Sequence, residues 1–248
     1  MLQQMLWIMV GLIWLAGTWL RIYRQARFYQ IEEYMSGRYV RWWLRRFDRL
    51  LPLRPLIAGI AGAVLPALIG VRVIPGMIAL VAVLAAVWPP NEGEIKKPFR
   101  RTGRATRLLV AAFGWAALAL LVGWLIAASV DRVGTQFAVF SLVGLVVFLV
   151  APLWLMAGNL TMTPVEAALR RRFIAAARGV LADVRPVVVG ITGSYGKTTT
   201  KTFLTEILNG RWRAYATPKS YNTMMGVCLA INNDLKIELL EVFRQVAA

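Results

Sequence analysis

The chain has 248 residues, 58% of them hydrophobic, with a mean hydropathy of +0.59 and a formal net charge of +17. Its apolar residues are concentrated in blocks before residue 160, which favours membrane spans over a single soluble core. One cysteine, Cys228, and no histidine exclude an intrachain disulfide and metal sites built from clustered Cys and His. Cys228 lies in an apolar helical run, so we expect it to be a small buried hydrophobe and not a reactive thiol.

Five apolar blocks are predicted to cross the membrane. The first follows MLQQ, which has no Lys or Arg, so an uncleaved anchor is favoured over a signal peptide. The second and third blocks are short, and Arg72 with the pair Pro75-Gly76 interrupts them, so they predict a tight hairpin of two helices. The blocks are residues 5–20, 53–71, 73–88, 108–130 and 137–157.

Basic residues alternate between the connections and so predict an orientation. They are dense between the first and second blocks, between the third and fourth, and after the fifth, whereas the alternate connections hold only Arg72 and Arg132. The positive-inside rule places the rich segments and everything after residue 160 in the cytoplasm, with the N-terminus outside. Topology and contact with membrane lipids account for the charge, and the basic segments lack a nucleic-acid-reading module, so no nucleic-acid partner is predicted.

Residues 24–51 form a basic and aromatic segment with near-helical spacing, and Trp42 and Trp43 suit the membrane–water interface. It is interpreted as a helix lying on the membrane surface or, equally, as ordinary flanking of two spans. Binding of an anionic lipid headgroup by its arginines is a third possibility. Further on, Thr163, Pro164 and Glu166 have the spacing of a capping box and predict that a connector helix starts there, over residues 161–185.

The stretch PVVVGITGSYGKTTTKTFLTEIL, residues 186–208, predicts a buried strand, a glycine turn and a helix. In this order, backbone N–H groups and a helix N-terminus face an anion. Lys197 can reach the β- and γ-phosphates of ATP, and the Thr198 hydroxyl can bind Mg²⁺. ATP and Mg²⁺ are therefore the predicted cofactors.

One position departs from the general pattern G-x-x-x-x-G-K-[ST], because Ile191 stands where the first glycine would be. The shorter form T-G-x-x-G-K-[ST] resembles the ATP loop of the Mur ligase family, most closely the members that add D-alanyl-D-alanine. The stretch ATPKSYNTMMGVCLAIN, residues 216–232, resembles the family's next block. The resemblance covers residues 186–242. Upstream, membrane spans stand where soluble relatives carry a nucleotide-sugar-binding domain, as in membrane-fused members.

The resemblance implies a bacterial membrane enzyme of peptidoglycan synthesis that joins a UDP-muramoyl peptide to D-alanyl-D-alanine through an acyl phosphate. In this family Asn222 and Thr223 would order the second block or touch substrate, while Thr223 is equally suited to be a helix N-cap. Lys197 would be the catalytic residue. The ATP-loop positions are Thr192, Gly193, Ser194, Tyr195, Gly196, Lys197, Thr198 and Thr199.

The expected fold is an α-helical membrane domain of five transmembrane helices (1–160), the connector helix (161–185) and the incomplete start of an α/β P-loop central domain (186–248). Val246 stands where the family has an acidic Mg²⁺ ligand, so we expect a truncated ligase that needs a missing C-terminal region or a partner chain. An incomplete sheet would leave the valines at 187–189 poorly covered. The alternatives are another membrane-bound P-loop ATPase or kinase, a polyglutamate-type ligase, and a non-catalytic membrane protein with a vestigial loop.

Overall fold

The computed structural model describes residues 1–45, 52–69, 73–90, 98–217, 221 and 223–235, and the regular structure in these ranges is helical. Contacts divide the chain into a membrane unit, Met1–Pro164, and a loop unit, Val165–Ala248, which are described separately. The helices are α1 Leu2–Ile31, α2 Ser36–Leu44, α3 Leu53–Leu68, α4 Ile74–Val87, α5 Gly103–Ala128, α6 Val133–Leu149, α7 Ala151–Val184, α8 Lys197–Asn209 and α9 Met224–Ala230, followed by a π-helical turn, Ile231–Leu235.

Two helices of the membrane unit, α1 with 30 residues and α5 with 26, are long and apolar enough to cross a membrane. Helices α6 and α7 meet at a bend of 65° and together make a third candidate. The chain is therefore a helical membrane protein. Helices α3 and α4 have 16 and 14 residues, which gives lengths of about 24 and 21 Å against a hydrocarbon layer of about 30 Å. Length and composition thus identify two or three spans where the sequence predicted five.

The hairpin helices are shorter than predicted because local geometry ends them early. Helix α3 contains Pro66 in its last turn, and the next residue after the helix, Ile69, is extended with φ −104° and ψ 125°. Helix α4 ends at Val87 because Trp88 precedes Pro89, and the residue before a proline disfavours the helical conformation. The two helices pack against each other and against α6, as the predicted hairpin requires.

Helix α1 lies at the centre of the membrane unit and packs against α4, α5 and α6. Trp14 on α1 is fully buried, and a Cβ added at Gly144 of α6 would come within 2.5 Å of its indole ring. The absence of a side chain at Gly144 thus lets the two helices approach closely around a bulky residue. Large apolar residues such as Ile57, Val81 and Leu125 are exposed on the outside of the unit, which suits contact with lipid acyl chains.

The predicted surface helix over residues 24–51 is wrong in extent. Residues 24–31 continue α1, and only Ser36–Leu44 forms a separate helix; residues 46–51 lie outside the described ranges. A turn at Glu33 and Tyr34, with φ of 56° and 60°, joins α1 to α2. Hydrophobic periodicity does not reveal this turn, because the residues on both sides of it are ordinary helix formers.

The predicted helix start at Thr163 is also wrong, because α7 runs through this point without interruption. Pro164 cannot donate a backbone hydrogen bond, but the helix continues across it. Thr163 donates its hydroxyl to the Asn159 carbonyl at 2.7 Å, and Thr161 does the same to Ala157 at 3.1 Å. These threonines bond back into the preceding turn instead of capping a new helix.

The predicted buried strand before the glycine turn does not form within the described residues. Residues 186–192 have neither a strand nor a helical pattern, and Val187, Val188 and Val189 are 94%, 77% and 57% exposed. A strand acquires its hydrogen bonds from a neighbouring strand, and the described ranges contain none. The start of an α/β P-loop domain predicted for residues 186–248 is therefore not found in the described residues.

Candidate phosphate-binding site

A glycine loop precedes α8 in the loop unit. Gly193 has φ 150° and Gly196, the N-cap of α8, has φ 75°. Residues with a Cβ rarely adopt these values, so the path of the loop depends on glycine at both positions. A Cβ added at Gly196 would meet nothing within 4 Å, which means that backbone conformation, and not crowding, sets this requirement.

Lys197 is the first residue of α8, and its side chain turns back over the loop. Its Nζ donates to the carbonyl oxygen of Gly193 and lies 3.4 Å from that of Ser194. The ammonium group is therefore held at the mouth of the loop by neutral acceptors. An anion bound there would compete with these carbonyls, because hydrogen bonds between charged groups are about twice as strong as neutral ones.

The N-terminus of α8 is open to a ligand. No side chain caps it, and its first α-helical hydrogen bond joins the Thr200 N–H to the Gly196 carbonyl at 2.9 Å. The positive end of a helix dipole and the N–H groups of a first turn attract anions. The structure brings the predicted ATP-loop residues together in one short loop and the first turn of α8. They are exposed: Thr192, Gly193, Ser194, Tyr195, Gly196, Lys197, Thr198 and Thr199.

The second predicted block begins with a capped helix. The Thr223 hydroxyl accepts a hydrogen bond from the Gly226 N–H at 3.2 Å, so the N-cap role of Thr223 is confirmed. A contact of Thr223 with substrate stays a prediction, and Asn222 lies outside the described residues. Cys228 is buried in α9, as expected for a small hydrophobe.

Sequence reasoning missed the role of Lys201. Its Nζ donates to the Thr217 carbonyl at 2.5 Å and so connects α8 to the start of the second block. The Asn209 side chain also accepts the Ala214 N–H at 2.8 Å, which holds the chain after α8. Lys201 follows Lys197 by one helical turn and so lies on the same face of α8, but this spacing does not indicate Thr217 as its partner.

The donor set fits phosphate. It consists of a lysine, two glycines with positive φ and an open helix N-terminus. The described residues contain no group of three or more His, Cys, Asp or Glu side chains that could hold a metal ion. Mg²⁺ that accompanies a nucleotide needs only one or two protein ligands beside phosphate oxygens and water. Thr198 is the predicted ligand, and the position of Val246 lies outside the described ranges.

Comparison with known proteins finds no family model that matches the chain and no solved structure that matches it. The fold and the site define the class of protein: a helical membrane protein with a glycine loop and a lysine at the start of a helix. A narrower assignment depends on the sequence of that loop and on its geometry.

Proposed function

We propose that the loop unit binds the phosphates of ATP and serves a membrane-anchored, ATP-dependent amide ligase of peptidoglycan precursor synthesis. The observation that carries the proposal is the stretch TGSYGKT, in which both glycines have positive φ and Lys197 opens α8. The proposed substrates are a UDP-muramoyl peptide, whose carboxylate is activated by phosphate transfer, and D-alanyl-D-alanine, whose amine forms the new bond.

Each part of the site has a distinct role in this proposal. Lys197 offsets the charge of the transferred phosphoryl group, and the glycine loop lets backbone N–H groups approach it. The Thr198 hydroxyl supplies the protein ligand of Mg²⁺. Lys201 is a positioning residue, because it holds the second block against α8 through Thr217. Such a site accelerates the reaction by charge neutralisation and alignment, without a side-chain nucleophile.

The nucleotide site is tested by competition. The full chain in detergent is loaded with a fluorescent ATP analogue and Mg²⁺. Addition of ATP or ADP should displace the analogue. AMP and adenosine should compete at least about tenfold less well, because the loop contacts the β- and γ-phosphates. Displacement by adenosine as strong as by ATP would show that the loop does not recognise phosphate. Failure of millimolar ATP to displace the analogue would overturn the proposal itself.

We also propose that the loop unit lies in the cytoplasm of a bacterial multi-pass membrane protein, where ATP is available. The orientation follows from the arginine-rich segment after α1 and the basic segment before α5. The α3–α4 hairpin does not affect this orientation. Its two short helices either both cross a locally thinned bilayer or enter and leave it on one side, and in both cases the chain returns to the side from which it came. Both helices expose apolar residues, including Leu53, Leu68 and Val81, as lipid contact requires.

Reporter fusions check this orientation. A fusion after Gly134, at the start of α6, should report the outside, and a fusion after Gly158, in α7, should report the cytoplasm. A fusion after Glu32 should also report the cytoplasm and serves as the control for the direction of α1. The same side for Gly134 and Gly158 would contradict the proposed topology.

A further inference from the structure

Helix α2 and its C-cap residue, Arg45, carry three arginines on one face. Arg38, Arg41 and Arg45 follow the spacing i, i+3 and i+7, which places them within one narrow sector of the helix. All three are exposed. Together with Trp42 and Glu32 they line one surface groove. We refer to these three arginines as the arginine face.

Aromatic residues on the opposite side of α2 and at the edge of the arginine face fix the helix to α1. Tyr39 is fully buried and donates its hydroxyl to Gln25 Oε1 at 2.9 Å. Trp42 stacks on Phe28 of α1, with ring centroids 4.6 Å apart. Trp43 is 8% exposed. These contacts hold α2 against α1, so the arginine face has a defined place on the membrane unit.

The contacts of α2 along α1 extend from the level of the lipid headgroups outward. The apolar part of α1 ends at Leu20, and Gln25 and Tyr29, which contact α2, lie five and nine residues further on. At about 1.5 Å per residue they are about 7.5 and 13.5 Å along the helix axis from Leu20. The headgroup layer extends about 5–8 Å beyond the hydrocarbon core. Arginine side chains can bridge the remaining distance by snorkelling.

We propose that the arginine face of α2 binds the phosphates of anionic membrane lipids. Arginine pairs with phosphate through two parallel hydrogen bonds, and tryptophan favours the interface in which Trp42 would then lie. Among the described residues, the acidic side chains beside the face are Glu32, which lines the groove, and Glu33. Arg38 contacts Glu33 at 3.3 Å, but both side chains are more than half exposed, and such surface pairs are weak enough for a lipid phosphate to replace them. This inference does not depend on the nucleotide site.

Native mass spectrometry of the detergent-solubilised full chain tests the proposal, with titration of phosphatidylglycerol and, separately, phosphatidylcholine. The first phosphatidylglycerol adduct should form at least about tenfold more tightly, since each basic residue near a lipid surface contributes about fivefold. The variant R38Q/R41Q/R45Q should lose this preference, whereas R38K/R41K/R45K should retain part of it. The matched control is R170Q/R171Q/R172Q, which removes the same charge from exposed positions on α7 and should keep the preference.

Four results would overturn the proposal. Equal affinity of the unmodified chain for both lipids would show that α2 does not select anionic headgroups. If R38Q/R41Q/R45Q keeps the preference, and circular dichroism shows that its helicity is unchanged, the arginine face does not bind the lipid and is available to a soluble acidic partner. An equal loss of the lipid preference in the α7 control would show that the preference depends on total charge and not on the arginine face. Competition by millimolar inorganic phosphate without any lipid preference would likewise assign the face to a free anion.

Discussion

Replacing Lys197 with alanine should weaken ATP binding by about 10- to 100-fold, the range expected when one charged hydrogen-bond donor to phosphate is removed. The side chain already lies over the glycine loop, where its Nζ donates to Gly193 and approaches Ser194. Its loss removes the only positive side chain of the TGSYGKTT stretch. The membrane unit should be unaffected, because Lys197 belongs to the loop unit.

The measurement is displacement of a fluorescent ATP analogue from the full chain, with membrane insertion followed by extraction behaviour. Arg178→Ala is the matched control, because it removes one positive charge from an exposed position on α7 that is not part of the glycine loop. It should leave ATP affinity within about twofold, because solvent and salt screen an exposed charge. Unchanged affinity in Lys197→Ala would refute the role assigned to this residue.

The parts that sequence predicted well are those governed by local rules. The first turn of α8 follows directly from GKTTT, and Thr223 caps α9 because a threonine before an apolar helical run can satisfy an early N–H group. The membrane character of the chain follows from apolar length alone, since a bilayer of fixed thickness requires it. In each case the deciding interactions lie within about one helical turn of the residue concerned.

The parts that sequence missed depend on partners outside the local segment. Pro164 predicts a boundary in isolation, but in the long helix α7 the threonines at 161 and 163 bond to the preceding turn and the helix continues. The valines at 187–189 have strand propensity, yet propensity cannot supply the neighbouring strand that a sheet requires. The contact between Lys201 and Thr217 also joins residues that periodicity cannot pair.

Replacing Gly196 with valine should weaken ATP binding by at least about tenfold, because a β-branched residue at φ 75° is strained by roughly 1–2 kcal/mol or more and displaces the start of α8. The variant keeps Lys197, so it separates the geometry of the loop from its charge. Gly196→Asn should retain more affinity than Gly196→Val, since asparagine tolerates the left-handed region better than other residues with a Cβ.

Gly190→Val is the matched control for this substitution. Gly190 lies in the same segment, an added Cβ there meets nothing within 4 Å, and its φ is outside the left-handed region. Its replacement should therefore leave nucleotide affinity unchanged in the same displacement assay. If Gly196→Val binds ATP as tightly as the unmodified chain, the positive φ at the N-cap of α8 has no part in phosphate binding. If Asn and Val lose equal affinity, space beside the phosphate, and not backbone conformation, is what the glycine provides.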